Sequence, residues 1–199
     1  MVPTKFALLV VSLLPAVLSA ENLPESILPS RRAPGPGHPV VFACLKSETF
    51  VMGGVLLSAK QAASQIFDSI GVKLLWSCQD RRDAIVIRLA AHAPSHFRKG
   101  TLAYALPFAR EGVRITAFYD RLEPILEDHL AFAGSILGHV LAHEIAHVLE
   151  RVDSHAETGL MRAHWSEEDF LSMKFHALGF TPEDARFIRD RVEREEPVQ

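Results

Sequence analysis

The sequence predicts a single α+β domain, and three observations support this fold class. Short apolar segments with the composition of β-strands are concentrated between residues 40 and 119. Helical periodicity dominates the chain from residue 137 onward. The stretch from Val40 to Glu195 is long enough to bury a hydrophobic core of its own. We therefore expect one sheet covered by helices and followed by a helical C-terminal subdomain.

Residues 1–20 have the features of a signal peptide. Lys5 precedes an apolar run from Phe6 to Leu18, and Ser19-Ala20 supplies small residues for cleavage. The run is short for a membrane span, although a retained anchor is the alternative. Cleavage after Ala20 predicts a secreted or periplasmic protein without stable membrane insertion.

Two further segments complete the predicted domain organisation. Residues 21–37 are rich in Pro and Gly and predict a linker, which leaves residues 38–199 as one domain.

Loss of residues 1–20 removes one lysine, so the formal charge changes from −3 to −4. A mildly acidic chain gives no electrostatic reason to expect nucleic acid as a partner. We expect a monomer.

The exported chain contains two cysteines, Cys44 and Cys78. In an oxidising compartment such a pair predicts one disulfide. Free buried thiols are the alternative, and a metal site is disfavoured because the chain has no CxxC spacing.

The first half of the domain predicts the order strand, helix, strand, strand. Val40–Leu45 is apolar and β-rich, as expected of a buried strand. Ser58 is the expected cap of a helix that ends at Gly71. Val72–Trp76 and Ala84–Leu89 predict the next two strands.

The following segments predict an edge strand, a further strand and then helices. Gly100–Arg110 contains a proline, which is typical of a strand at a sheet edge. The alternating run Arg114–Tyr119 leads toward the next helix. Beyond it, Ser166 is the expected cap of a helix that Gly179 ends, and Thr181-Pro182 begins the last one. That last helix should pack through one face, made of Ala185, Ile188 and Val192.

The centre of the chain carries His143-Glu144-Ile145-Ala146-His147, an HExxH motif on a predicted helix. Residues four apart lie one turn apart on the same face, so the two imidazoles can bind one metal ion. Glu144 is placed to hold a water molecule beside that ion. An apolar stripe should bury the opposite face of the helix, and it consists of Leu137, Leu141, Ile145 and Val148.

A catalytic zinc site needs a third protein ligand, and the sequence offers His155 and Asp153. A continuous helix would carry His155 about 12 Å further along its axis, so the chain must turn back between Leu149 and Val152. We favour His155, because imidazole is the commoner zinc ligand, and keep Asp153 as the alternative.

The segments AHEIAH and SHAETGLMRAHW resemble the metzincin group of zinc endopeptidases, and more narrowly small secreted bacterial metzincin-like proteins. That family carries HExxHxxGxxH or HExxHxxGxxD and a methionine beneath the metal, a role that the resemblance assigns to Met161. The chain departs from this pattern at Glu150, which replaces the glycine, and at His155, which comes two residues late. Asp153 falls at the usual interval.

The resemblance implies a mixed twisted sheet with an antiparallel edge strand over an active-site helix. In metzincins extended peptide substrate bonds to this edge, which here implies binding by Thr101, Leu102, Ala103 and Tyr104. It also implies one catalytic zinc ion held by His143, His147 and His155, and peptide or protein substrates. Glu144 would act as general base for the attacking water.

Two alternatives to an endopeptidase remain open. One is a catalytically inactive metzincin-like domain that binds zinc or peptide, which the intact Glu144 disfavours. The other is a structural domain in which the motif is coincidental. Of the remaining histidines, His139 extends the imidazole row and is expected beside the site, whereas Pro94 argues against a helical pair of His92 and His96.

Overall fold

A computed structural model describes residues 38–79, 81, 83–109, 112–175 and 177–195. The predicted signal peptide (1–20) and linker (21–37) lie outside the described residues. In chain order the elements are β1 (Val40–Ser47), α1 (Gly53–Asp68), β2 (Lys73–Trp76), β3 (Ile85–Ala90), β4 (Ala103–Ala105), β5 (Val113–Phe118), α2 (Tyr119–Asp128), a 3-10 helix (Leu130–Phe132), α3 (Ala133–Glu150), α4 (Glu167–Ser172) and α5 (Pro182–Glu195).

The strands form one mixed sheet in the order β2-β1-β3-β5-β4. β1 pairs in parallel with β2 and β3, and β3 pairs in parallel with β5. β4 pairs antiparallel with β5, with Tyr104 opposite Thr116. The predicted α+β class is therefore confirmed, and the segment with the edge-strand signal does form an antiparallel edge.

Helix α3 is the core helix of the domain. Every residue from Ala133 to Leu149 is buried, except Ser135, which is half-buried. Among the described residues, Leu130–Glu150 is the one helical stretch with the length and hydropathy of a membrane span, and 89 % of its most apolar window is buried inside the domain. The predicted apolar stripe of α3 is buried as expected, and the histidine-bearing face is covered as well.

Close packing against α1 fixes the position of α3. A Cβ atom on Gly138 would lie 2.6 Å from Cβ of Ala62 and 2.7 Å from the carbonyl oxygen of Ala59. A Cβ atom on Gly134 would overlap the side chain of Ser58. The two helices therefore approach to a distance that only glycine on α3 permits.

Two helix boundaries and one whole helix differ from the sequence-based expectations. α1 begins at Gly53 rather than at Ser58, because the carbonyl of Met52 accepts hydrogen bonds from Val55 and Leu56 and closes an earlier turn. α2 was not expected, and it carries Pro124 inside it while burying Leu122 and Leu126. α4 ends at Ser172, well before Gly179.

The C-terminal helices begin where the sequence predicts. Ser166 accepts a hydrogen bond from the amide of Asp169, and the Asp169 side chain accepts one from the amide of Ser166, which makes a reciprocal capping box. α5 begins with Pro182 and buries the predicted face of Ala185, Ile188 and Val192.

Cys44 in β1 and Cys78 after β2 form a disulfide, with their Cα atoms 4.6 Å apart. The prediction of a bonded pair is confirmed. A disulfide is typical of proteins in oxidising, extracellular compartments.

Candidate metal centre

The two histidines of the HExxH motif converge on one point. His143 and His147 lie one turn apart on α3, with 8 % and 6 % of their surfaces exposed. Their Nε2 atoms are 3.0 Å apart. In a tetrahedral zinc site with Zn–N distances near 2.0–2.1 Å, ligand nitrogens lie about 3.3 Å from each other. The observed separation is therefore close to that of two ligands of one ion.

Backbone carbonyls fix the orientation of both rings. Nδ1 of His143 lies 2.9 Å from the carbonyl oxygen of Leu160, and Nδ1 of His147 lies 3.0 Å from that of Val152. A carbonyl only accepts, so Nδ1 carries the proton in each ring, and in the neutral ring Nε2 then presents a lone pair. Two lone pairs facing each other repel, and a shared cation removes that repulsion. The donor set thus fits a metal ion bound through Nε2.

A reversal after α3 adds the third imidazole. Arg151 has φ 56° and ψ 43°, a left-handed conformation that ends the helix directly after Glu150. The His155 ring centre then lies 5.3 Å from that of His143 and 4.9 Å from that of His147. The ligand atoms of the three histidines all lie within 4.8 Å of one another, so they could bind a metal ion.

Asp153 does not join this cluster of donor atoms. It is exposed, and its charge acts on His147 and His155 by raising their pKa values, as a minor contribution. The structure therefore places His155, rather than Asp153, beside the motif histidines.

Burial is the main cause that lowers the pKa of all three histidines, and it takes the pKa of His143 to about 4. The neighbouring imidazoles add to this effect: His147 on His143, and His155 on His147. Neutral imidazole is the form that binds metals, so the environment favours metal binding at neutral pH.

Glu144 is buried next to this pair, with 8 % of its surface exposed. Burial raises its pKa to about 8. Positive charge placed among the neighbouring imidazoles would favour its ionised form. Burial thus favours the protonated form of this carboxyl.

Three hydrogen bonds fix the backbone of Leu160. The Leu160 carbonyl accepts hydrogen bonds from His143 and from Nε1 of Trp165 (3.2 Å), and its amide donates to Gly179 (2.8 Å). Gly159 has φ +74°, and a Cβ atom there would lie 2.7 Å from the carbonyl oxygen of Gly179. Only glycine fits this position, and the fit keeps the Leu160 carbonyl aimed at His143.

Met161 is buried in this turn, with 1 % of its surface exposed. Its carbonyl accepts a hydrogen bond of 2.8 Å from the amide of Ala156, the residue after His155. The predicted methionine is therefore linked to the chain that carries the third histidine.

Trp165 contacts both the histidine cluster and the hydrophobic core. Its ring packs edge-on against His143 at 5.7 Å between ring centres, and it also packs against the core. It therefore forms part of the wall around the cluster.

The predicted substrate-binding segment is only partly available for pairing. The Thr101 amide bonds to the carbonyl of Arg98 (3.0 Å), and the Thr101 carbonyl accepts from Arg121 (2.7 Å). The Leu102 carbonyl accepts from the amide of Phe118 (2.9 Å). Tyr104 lies opposite Thr116 in the β5 ladder.

The outer edge of β4 is formed by Ala103 and Ala105. Backbone groups alternate along a strand, so the N–H and C=O groups of these two residues point away from β5. Within the described chain no further strand pairs there. β4 also contacts α3.

Three further histidines of the described chain, His139, His92 and His96, are not members of the cluster of donor atoms. His139 is buried, and both of its ring nitrogens bond to backbone groups, Nδ1 to Ser135 and Nε2 to Leu178. His139 was expected beside the site, either lining the cleft or supporting the ligands, and its burial excludes only the cleft-lining role. His92 and His96 are exposed in the loop after β3, where His92 lies 3.8 Å from Asp120.

A groove of about 590 Å³ lies between α1 and the start of α3, lined by Met52, Ser58, Ala62, Phe132 and their neighbours. No titratable side chain lines it, so it offers no acid, base or metal ligand.

The chain matches no protein-family model and no curated protein sequence. The arrangement of the side chains therefore carries the functional argument alone.

Proposed function

We propose that this chain is a secreted or periplasmic zinc-dependent endopeptidase of metzincin-like type. One observation carries the proposal: His143 and His147 present facing Nε2 lone pairs 3.0 Å apart, with both Nδ1 atoms fixed by carbonyls and a third imidazole beside them. Such an arrangement is costly without a cation and favourable with one. The disulfide supports the proposed location.

Three neutral imidazoles are a typical ligand set for catalytic zinc, which keeps its fourth position open. Zinc supplies Lewis acidity, which polarises a carbonyl oxygen and makes water nucleophilic near neutral pH. Other divalent metals also bind imidazole, and the choice of zinc rests on this ligand set.

Glu144 is the proposed general base. It would take a proton from the attacking water and return it to the leaving amine. Its burial excludes bulk water, which strengthens its interaction with charge that develops during the reaction.

The proposed substrate is an extended peptide that pairs with the outer edge of β4. Ala103 and Ala105 supply the outward backbone groups, whereas the side chains on this edge are small. Because the side chains on this edge are small, peptides of many different sequences could pair with it through their main chain. Of the four residues predicted from sequence, Ala103 is the one whose backbone orientation supports this role.

The metzincin-like assignment also rests on the chain after the helix. Arg151 provides the left-handed residue one position after the family's glycine, which accommodates both Glu150 and the later third histidine. The buried Met161 supports the same assignment.

The first test separates metal binding from hydrolysis. Glu144→Gln should retain stoichiometric zinc and lose peptide hydrolysis, measured with an unbiased peptide library. A wild-type protein that purifies without zinc at neutral pH and fails to bind added zinc would exclude the proposal. Zinc binding without turnover in the wild type would favour the inactive zinc- or peptide-binding domain.

The second test concerns the third ligand. His155→Ala should lower zinc content, and Asp153→Ala should not. The reverse result would assign the third position to Asp153.

A further inference from the structure

A row of polar side chains runs along the buried helix α3. Ser135, His139, His143 and His147 are four residues apart, so they lie on one face. Each bonds to a backbone group of the chain that follows the helix. Oγ of Ser135 bonds to the Met173 carbonyl (2.7 Å), Nε2 of His139 to the Leu178 amide (3.0 Å), and the other two to the carbonyls of Leu160 and Val152.

The histidines of this row differ in how their ring nitrogens are used. His143 and His147 keep their Nε2 atoms available for a metal, whereas His139 uses both ring nitrogens. Its Nδ1 lies 2.7 Å from the Ser135 carbonyl and must donate, so its Nε2 is the acceptor for the Leu178 amide. With 1 % of its surface exposed, His139 is a neutral linking group and not a metal ligand.

A continuous path of hydrogen bonds connects His139 with His143 through the downstream chain. His139 holds the amide of Leu178, and the carbonyl of the next residue, Gly179, accepts from the amide of Leu160 (2.8 Å). The Leu160 carbonyl then accepts from Nδ1 of His143 (2.9 Å). Gly159 packs against the same Gly179 carbonyl, which leaves this path little freedom to shift.

We propose that His139 is a positioning residue for the metal centre: by holding Leu178 it fixes Gly179 and Leu160, and so keeps the His143 ring in its metal-binding orientation. The proposal rests on the metal site proposed above. Loss of a partner that orients a metal-bound histidine costs about 10-fold to 100-fold in metal affinity. His139 acts through three intervening residues, so the lower end of that range is expected.

A matched pair of substitutions separates the two ring nitrogens of His139. His139→Gln places an amide oxygen near the position of Nε2 and can still accept from Leu178, whereas His139→Asn is too short to do so. His139→Asn should bind zinc about 10-fold more weakly than the wild type, measured by competition with a chromophoric chelator at pH 7.5. His139→Gln should remain within about threefold.

Ser135→Ala is the matched control. It breaks a comparable bond from the same helix face, to Met173, which lies outside the path to His143. We expect a loss of stability in urea with zinc affinity within about threefold of the wild type. The visible spectrum of the cobalt-loaded proteins should change in His139→Asn and remain unchanged in Ser135→Ala, because it reports the geometry of the metal ligands.

Distinct outcomes overturn this inference and the proposed function. If the wild type binds no zinc, the metal site itself is wrong. If the wild type binds zinc and His139→Asn binds it equally well, the metal site stands and the positioning role is wrong. Equal weakening in Ser135→Ala also contradicts that role, because the effect would then follow general stability.

A measurement on the wild type covers the case in which His139→Asn does not fold. Coupling between two sites is reciprocal, so zinc must strengthen the bond that holds Leu178 if that bond strengthens zinc binding. Hydrogen exchange of the Leu178 amide should slow about 10-fold on saturation with zinc. An unchanged rate would overturn the proposal.

Discussion

Replacing Glu150 by glutamine should stabilise the metal-free protein at pH 8.5 and leave its stability at pH 4.5 nearly unchanged. Glu150 ends α3, and its Oε1 atom is buried without a hydrogen-bond partner among the described residues. Burial, followed by the charge of Asp184, raises the pKa of this carboxyl from 4.5 to about 7. The fold therefore favours the protonated form.

The sign of the effect follows from proton linkage. The folded pKa lies above the unfolded pKa, so between pH 4.5 and about 7 the folded state binds more protons than the unfolded state. The contribution of Glu150 is fully present below pH 4.5 and is lost as the pH rises through about 7. The full pKa shift from 4.5 to about 7 corresponds to a loss of about 3.4 kcal/mol in the free energy of unfolding at higher pH. The side chain is only partly buried, and solvent screening reduces this to roughly 1–2 kcal/mol.

Urea unfolding in the presence of a chelator measures the effect, with the disulfide kept intact in every sample. The difference in unfolding free energy between Glu150→Gln and wild type should grow from near zero at pH 4.5 to roughly 1–2 kcal/mol at pH 8.5. Glu193→Gln, an exposed glutamate on α5, is the control and should show no such growth. A difference between Glu150→Gln and wild type that is constant across this pH range would refute the reasoning.

Three further substitutions test the packing around the site. Gly159→Ala should lower the free energy of unfolding in urea by about 2–4 kcal/mol and weaken zinc binding, because the φ of +74° and the nearby Gly179 carbonyl exclude a side chain. An unchanged free energy of unfolding would contradict this role of the glycine. Gly138→Ala should cost about 1–3 kcal/mol by forcing α1 and α3 apart, and an unchanged unfolding midpoint would show that the helices adjust freely. Replacing Cys44 and Cys78 together by serine should lower the free energy of unfolding by about 3–4 kcal/mol, since the disulfide closes a loop with a sequence separation of 34. A urea midpoint equal to that of the oxidised wild type would contradict this prediction.

The metal cluster could be predicted from sequence because helix geometry alone places two of its members. His143 and His147 are four residues apart, and any helix brings them to one face. His155 was preferred to Asp153 because imidazole is the commoner zinc ligand, and it could reach the pair only after a reversal of the chain. That reversal occurs at Arg151, within the predicted interval.

The partners of the imidazoles could not be predicted, because they are backbone atoms. The carbonyls of Leu160 and Val152 have no sequence signature, and any residue supplies the same group. Gly159 was an indirect signal, since a glycine in a polar turn permits a close approach of two chains. Which chain approaches it, here at Gly179, depends on tertiary contacts.

Errors in the helices have identifiable physical reasons. α2 was not expected, and it forms with Pro124 inside it because the packing of Leu122 and Leu126 outweighs the proline. Ser58 resembles a helix cap but lies inside α1, where a small side chain lets Gly134 of α3 approach. In both cases contact with another element decided the local structure.

The burial of both faces of α3 also bears on function. A polar row on a fully buried helix is unfavourable unless each member has a hydrogen-bond partner. Here each member of the row has a partner in the chain after the helix, between Val152 and Leu178. That segment is consequently held in part by the same side chains that form the proposed metal centre. Binding a cation and ordering this part of the fold are then two aspects of one equilibrium, since ligands that the fold has already oriented lose less freedom when they bind.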